Sequence, residues 1–135
     1  MEMNGKTTIT PKAPFFKRDQ DFLDLLDHTI SQNYSSQGFD LQEISARMDI
    51  SKRQMQRKSK ALLGCTPSEY LRTYRLQKSL LLLSAGVSVR EVAQAIGFSS
   101  QSYFASCFKA QFGHTPTEYQ SQQIHLISEV KSITS

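Results

Sequence analysis

The stretch LQEISARMDIS, residues 41–51, lies over VREVAQAIGFS, residues 89–99, and reading the two together decides the fold. Leu41, Ile44 and Met48 of the first correspond to Val89, Val92 and Ile96 of the second. A spacing of three and then four is that of one apolar face of a helix. Both stretches continue through a further helical pattern into GCTPSEY, residues 64–70, and GHTPTEY, residues 113–119. The copies differ by one inserted residue near Ser99 or Ser100. Self-similarity of this kind marks a duplicated supersecondary unit. Each copy is a short helix, a tight turn and a second helix with apolar inner positions. That is the outline of a helix-turn-helix, a motif whose second helix suits the major groove of duplex DNA.

Punctuation outside the repeat sets the remaining elements. Asp40, with Glu43 three residues on, gives a capping-box-like start to the first short helix. Ser51 caps the next helix, which runs to about Leu63 and stops at Gly64. Pro67 sits in the first turn of a long helix reaching about Ala85, before Gly86. Ser88 caps a fifth helix, and Ser99 or Ser100 a sixth that reaches Phe112 and closes at Gly113. Pro116 opens a seventh, expected to end between Gln120 and Gln123. Upstream, Phe22, Leu23, Leu26 and Ile30 recur at helical spacing from Asp19, predicting a first helix that ends near Tyr34. No stretch alternates as a strand would. The expected fold is therefore all-α, with seven helices forming two helix-turn-helix subdomains joined by a long linker helix. Within a domain over residues 19–123, the first unit spans about 40–64, the linker helix 67–85 and the second unit 88–113. Residues 1–18, with Thr-Thr-Ile-Thr-Pro-Lys-Ala-Pro and no sustained period, read as a flexible tail or linker. Residues 124–135 read as a C-terminal tail.

Charge narrows the function. The 135-residue chain has a net charge of +4 and a pI near 9.2, which favours a polyanionic partner. Lys52, Arg53, Arg57, Lys58, Lys60, Arg72, Arg75 and Lys78 make up half of the 16 Lys and Arg, and only Glu69 opposes them in that span. A solvated helix face usually mixes signs, so this density points to a binding surface. On the second helix of the first unit, Met55 and Leu62 fall inward. Arg53, Gln56, Arg57 and Lys60 share the opposite side at i, i+3, i+4 and i+7. That side carries guanidinium forks for guanine, an amide for adenine and an ammonium for phosphate. On the matching helix of the second unit, Phe104, Phe108 and Phe112 form the buried stripe. Ser102, Ala105, Ser106 and Lys109 lie outside, with Gln101 and Tyr103 in the first turn. This face is nearly uncharged, so the first unit should supply most of the electrostatic affinity.

The linker helix gives scale. About 19 residues at ~1.5 Å each span roughly 28 Å, close to the ~34 Å at which major grooves recur along one face of a duplex. Phosphate contacts are expected from Ser51, Lys52, Lys60, Arg72, Arg75 and Lys109. Two cysteines, Cys65 and Cys107, are too few for a disulfide framework, and with no secretory signal they suggest a reduced, cytoplasmic, nucleoid-associated setting. The longest apolar run, Leu80 to Leu83, is far shorter than a membrane span. His28, His114 and His125 have no metal-ligand spacing. No phosphate loop, nucleophile elbow or convergent acid pair is present, so neither an enzyme nor a cofactor is indicated.

With these residues in view, the sequence resembles the AraC/XylS family of bacterial regulators. The signature runs through Arg75-Leu-Gln-Lys-Ser-Leu-Leu-Leu-Leu83 and Val89-Arg-Glu-Val-Ala-Gln-Ala-Ile-Gly-Phe98, then Phe104, Phe108 and Gly113-His-Thr-Pro116. It covers roughly residues 19–122. The resemblance implies recognition helices at Ser51–Leu63 and Ser100–Phe112, with Arg53, Gln56, Arg57, Gln101, Ser102 and Ser106 facing the groove. It also implies sequence-specific binding of double-stranded DNA, transcription control with activation favoured, and RNA polymerase as a further partner. Family members usually carry a sensing or oligomerisation domain, so the expected chain is either a stand-alone small regulator or the output end of a longer one, and the linker-like first eighteen residues favour the second. Two positions depart from the family pattern. Ser59 stands where a large apolar residue is usual, so the first unit packs loosely or buries a hydroxyl, and a Leu there is expected to raise stability if the position faces the core. Ser106 stands where a basic residue is common. The competing class is a helical adaptor that holds an acidic protein partner on its basic face, and sequence preference for duplex DNA separates the two.

Overall fold

Side-chain caps divide the chain into helices where the sequence placed them. The computed structural model describes residues 13–134, with side chains over 18–129. Seven helices follow one another: α1 Ala13–Asn33, α2 Leu41–Met48, α3 Lys52–Leu63, α4 Pro67–Ser84, α5 Val89–Ala95, α6 Gln101–Phe112 and α7 Pro116–Thr134. No strand occurs among the described residues. Asp40 accepts from the Glu43 N–H, Ser51 from Gln54, Ser88 from Glu91 and Ser100 from Tyr103. Each such cap satisfies one of the donors that a helix start leaves open. The second unit is thus capped by Ser100 rather than Ser99, which places the inserted residue in the turn. α3 and α6 both close on a glycine with positive φ, whose N–H returns to the Lys60 and Lys109 carbonyls respectively.

Two boundaries differ from the sequence reading. The tail expected over residues 1–18 lies partly outside the described residues, but α1 already begins at Ala13. Pro14 falls in its first turn, where a missing N–H removes no hydrogen bond, so this proline opens the helix. At the other end α7 does not stop near Gln123 and continues to Thr134. Nothing between Gln120 and Thr134 is Gly or Pro, and His125 meets Glu129 one turn on at 2.6 Å. The polarity of residues 120–123 does not end the helix, because no breaker accompanies it.

Two cores lie on either side of α4. The first gathers Phe22, Leu26, Ile30, Phe39, Ile44, Met48, Met55 and Leu71. The second gathers Leu76, Leu83, Val92, Ala93, Ile96, Phe98, Phe104 and Phe108. α4 contributes to both, and it is the one helix that packs extensively on members of both units (α3 before it, and α5, α6 and α7 after it). It therefore closes the first helix-turn-helix and opens the second, because α1, α2 and α3 stand to one another as α4, α5 and α6 do. The second core is aromatic: Phe104, Phe108, Phe112 and Tyr119 stack at centroid separations of 4.7–5.7 Å. The Phe stripe on α6 is core, with Phe112 half-buried at its end.

Candidate nucleic-acid interface

The core-facing residues of α3 fix what its other side presents. Met55 and Ser59 are fully buried, and Leu62 is half-buried. Arg53, Gln56, Arg57 and Lys60 are exposed on the remaining side, as are Ser51 and Lys52 at its start. The ion pairs among the described residues involve Arg47, Lys58 and His125 and none of these groups. Side chains that no ion pair among the described residues engages keep their field for an outside partner, with Glu69 near Lys60 at one end of the row.

The rest of the basic cluster separates by direction. Lys58 turns to α1, 3.8 Å from the Asp19 carboxylate and over the Phe22 ring at 5.3 Å. Lys78 lies over the Tyr34 and Tyr74 rings at 5.9 and 5.3 Å. Arg72 is half-exposed and lines a cleft of about 230 Å³ between the two units, with Gln37, Asp40 and Tyr103. Arg75 turns onto the backbone. Its Nε donates to the Tyr34 carbonyl at 2.8 Å, and its Nη2 to those of Ser36 at 2.9 Å and Phe39 at 3.3 Å. Burial lowers its pKa, with partial relief from Tyr103. A guanidinium engaged with three backbone carbonyls serves the fold as a bracket, a role its sign did not announce.

On α6, Phe104 and Phe108 are fully buried, and Gln101, Ser102, Ser106 and Lys109 are exposed. Tyr103 is 48% exposed, its ring tilted against Phe98 at 5.4 Å. The six expected readers thus lie on the outer sides of two equivalent helices. One basic residue escaped the sequence reading. Arg90, exposed in the first turn of α5, lines a cleft with Ser99, Ser100 and Gln101 at the start of α6. Its signal was its place in the repeat, opposite Gln42, rather than membership of a charge cluster.

Cys65 and Cys107 are half-buried free thiols. Burial, then the nearby Glu69, pushes the Cys65 thiol up against the opposing pull of Lys60. A thiol held protonated is a poor nucleophile or metal ligand.

Two helix-turn-helix units on a shared helix, each with a polar outer face on its second helix, define a tandem helix-turn-helix DNA-binding domain. A helix-turn-helix domain family matches residues 44–122. The chain belongs to that family, and its fold is the AraC-type DNA-binding fold, a transcription-factor domain and not an enzyme. Over 81 residues it is 41% identical to the uncharacterized HTH-type transcriptional regulator YdeC of Bacillus subtilis, covering 59% of this chain and 28% of that protein. A transcriptional regulator of the AraC-type DNA-binding domain-containing class from Chromobacterium violaceum superposes with a TM-score of 0.71 at 29% identity, covering 79% of this chain and 96% of that one. The DNA-binding domain of AdpA in complex with a target DNA gives 0.68 at 29% identity, over 74% and 89%. The chain spans between 9% and 30% of the length of the curated relatives compared. No described helix is long and apolar enough to cross a membrane.

Proposed function

We propose that the chain reads an asymmetric, bipartite duplex site and thereby regulates bacterial transcription, by activation through RNA polymerase, from the cytoplasmic nucleoid. α3 and α6 enter successive major grooves on one face of the DNA. Arg53, Gln56 and Arg57 read bases in the first groove, and Gln101, Ser102 and Ser106 in the second. Ser51, Lys52, Lys60, Arg72 and Lys109 meet phosphates, joined by Arg90 in place of Arg75. A sensing or oligomerisation domain works with this module, in keeping with the short share of each relative that it covers. The carrying observation is the exposed row of Arg53, Gln56, Arg57 and Lys60 on α3, which no ion pair among the described residues engages.

Fluorescence anisotropy on a selected and a random duplex across a salt series tests the reading. Affinity should fall steeply with salt, and the selected site should be preferred by at least ~10³. Salt-sensitive binding without preference would reduce the surface to a basic patch. Absence of binding at low salt would bring forward the adaptor for an acidic protein.

A further inference from the structure

Outside α4, the two units touch chiefly at one small node. No helix of the first unit packs extensively on α5, α6 or α7. The node joins the α1–α2 loop to the turn between α5 and α6. Arg75, from the middle of α4, holds the loop by three carbonyls, of Tyr34, Ser36 and Phe39. Gln37 of the same loop donates through Nε2 to the Phe98 carbonyl at 3.1 Å. Tyr34 packs against both cores.

Gly97 completes it. The α5–α6 turn puts Gly97 at φ +89°, and a Cβ there would collide with the Tyr34 carbonyl oxygen and stand 3.0 Å from Arg75 Nε and Nη2. That φ by itself already strains any residue with a side chain. The equivalent residue of the first unit is Asp49, which adopts φ 57° with a side chain and is exposed. At 97 the closeness of the other unit adds a steric exclusion to that backbone strain.

We propose that the node of Arg75, Tyr34, Gln37 and Gly97 fixes the orientation of α6 relative to α3, and so sets which spacing of half-sites the protein accepts, although none of the four reads a base. The inference rests on the tandem-reader function. α4 can carry the two units at a set distance, but a single helix leaves each unit free to rock on its side-chain packing. A second attachment off the helix axis removes that freedom. Inserting one base pair between half-sites turns the second groove by about a tenth of a turn and shifts it by about 3.4 Å. A rigid reader is penalised by this, and a loosened one adapts.

Gln37→Ala, Arg75→Lys and Gly97→Ala test the node in the full chain. Gln37 is exposed, so its variant retains the fold even if Gly97→Ala does not. Residual dipolar couplings of backbone amides should fit one alignment tensor in the wild type. In the variants α2–α3 and α5–α6 should need separate tensors. On DNA, Gln37→Ala should lower affinity for the bipartite duplex about 2- to 10-fold, the worth of one hydrogen bond. Affinity for a duplex with the second half-site scrambled should not change, and the penalty for the one-base-pair insertion should shrink. Parallel losses on bipartite and scrambled duplexes, or a single tensor in all variants, would overturn the proposal. If the wild type prefers no duplex, the function reading fails, and the tensors, which need no DNA, still decide whether the node is a lock.

Discussion

Ser45 and Ser59 are both buried in the first unit, and their hydroxyls have opposite fates. Ser45 Oγ finds no partner among the described residues, whereas Ser59 Oγ donates to the Cys65 carbonyl at 2.8 Å. The repeat supplies an internal control for the first, since Ala93 is buried at the equivalent place in the second unit. Ser45→Ala should therefore stabilise by about 1 kcal/mol, read as a higher Tm, because an unsatisfied buried hydroxyl is removed. At Ser59 the structure shows one of the two expected outcomes, a buried hydroxyl, and its hydrogen bond argues against a gain from Leu. The position faces the core, but the α3–α4 turn closes onto its hydroxyl. Ser59→Leu adds volume to a closed site and strands the Cys65 carbonyl, so it should lower stability by about 1–3 kcal/mol in thermal melts. Its repeat partner, Phe108, occupies a core built around four stacked aromatics that the first unit lacks. Arg57 and Arg75 make the same point for charge. Arg57→Ala should cost about 1–3 kcal/mol on the selected duplex and much less on random DNA. Equal losses on both would make Arg57 a phosphate contact. One-dimensional sign and spacing singled out both arginines, but only the fold shows that Arg75 is turned onto backbone carbonyls.

Among the elements, α4 and α7 begin alike. Thr66 and Glu69 form a reciprocal capping box, with N–H to carboxylate at 2.8 Å and N–H to hydroxyl at 3.1 Å. Thr115 and Glu118 repeat it with the same two distances. Backbone and then side-chain hydrogen bonds from the threonine lower both glutamate pKa values from the ordinary 4.5. A depressed carboxylate pKa stabilises the fold above the unfolded value and loses that contribution as pH falls through the folded value. Comparing the wild type with Glu69→Gln and Glu118→Gln should thus give a Tm gap at about pH 6 that narrows at about pH 3. A gap that held constant would assign the boxes no charge-dependent part. Element starts were legible because their signals are local: Asp40, Ser51 and Ser88 cap backbone a few residues away, and Pro67 and Pro116 sit in a helix's first turn. Ends were less legible where no Gly or Pro marked them, as at the C-terminal half of α7.

At the scale of the whole molecule the two units are geometrically alike and electrostatically unlike. α3 exposes Lys52, Arg53, Arg57 and Lys60, whereas Lys109 is the one basic residue of α6. Salt should report this asymmetry. If Lys60 meets a phosphate, Lys60→Ala should weaken binding on all sequences and reduce the slope of log K against log salt by about 1. Exchanging the second half-site should change specificity while leaving that slope nearly intact. A slope unaffected by Lys60→Ala would place this lysine off the DNA, and a slope shared equally between the half-sites would remove the division of labour.

The sequence by itself determined the all-α class, the duplication, the caps, the inward and outward sides of α3 and α6, and the family. Each is encoded within one or two turns of helix, where periodicity and side-chain-to-backbone hydrogen bonds act. Only the tertiary structure decided which cations of one dense cluster remain for a partner. It also decided which buried serine is satisfied, and why glycine stands at 97 where aspartate stands at 49. Those outcomes depend on groups 41 residues apart, as Arg75 and Tyr34 are, and they are set by how α4 gathers two cores onto itself. A local pattern has no access to a contact made across that distance.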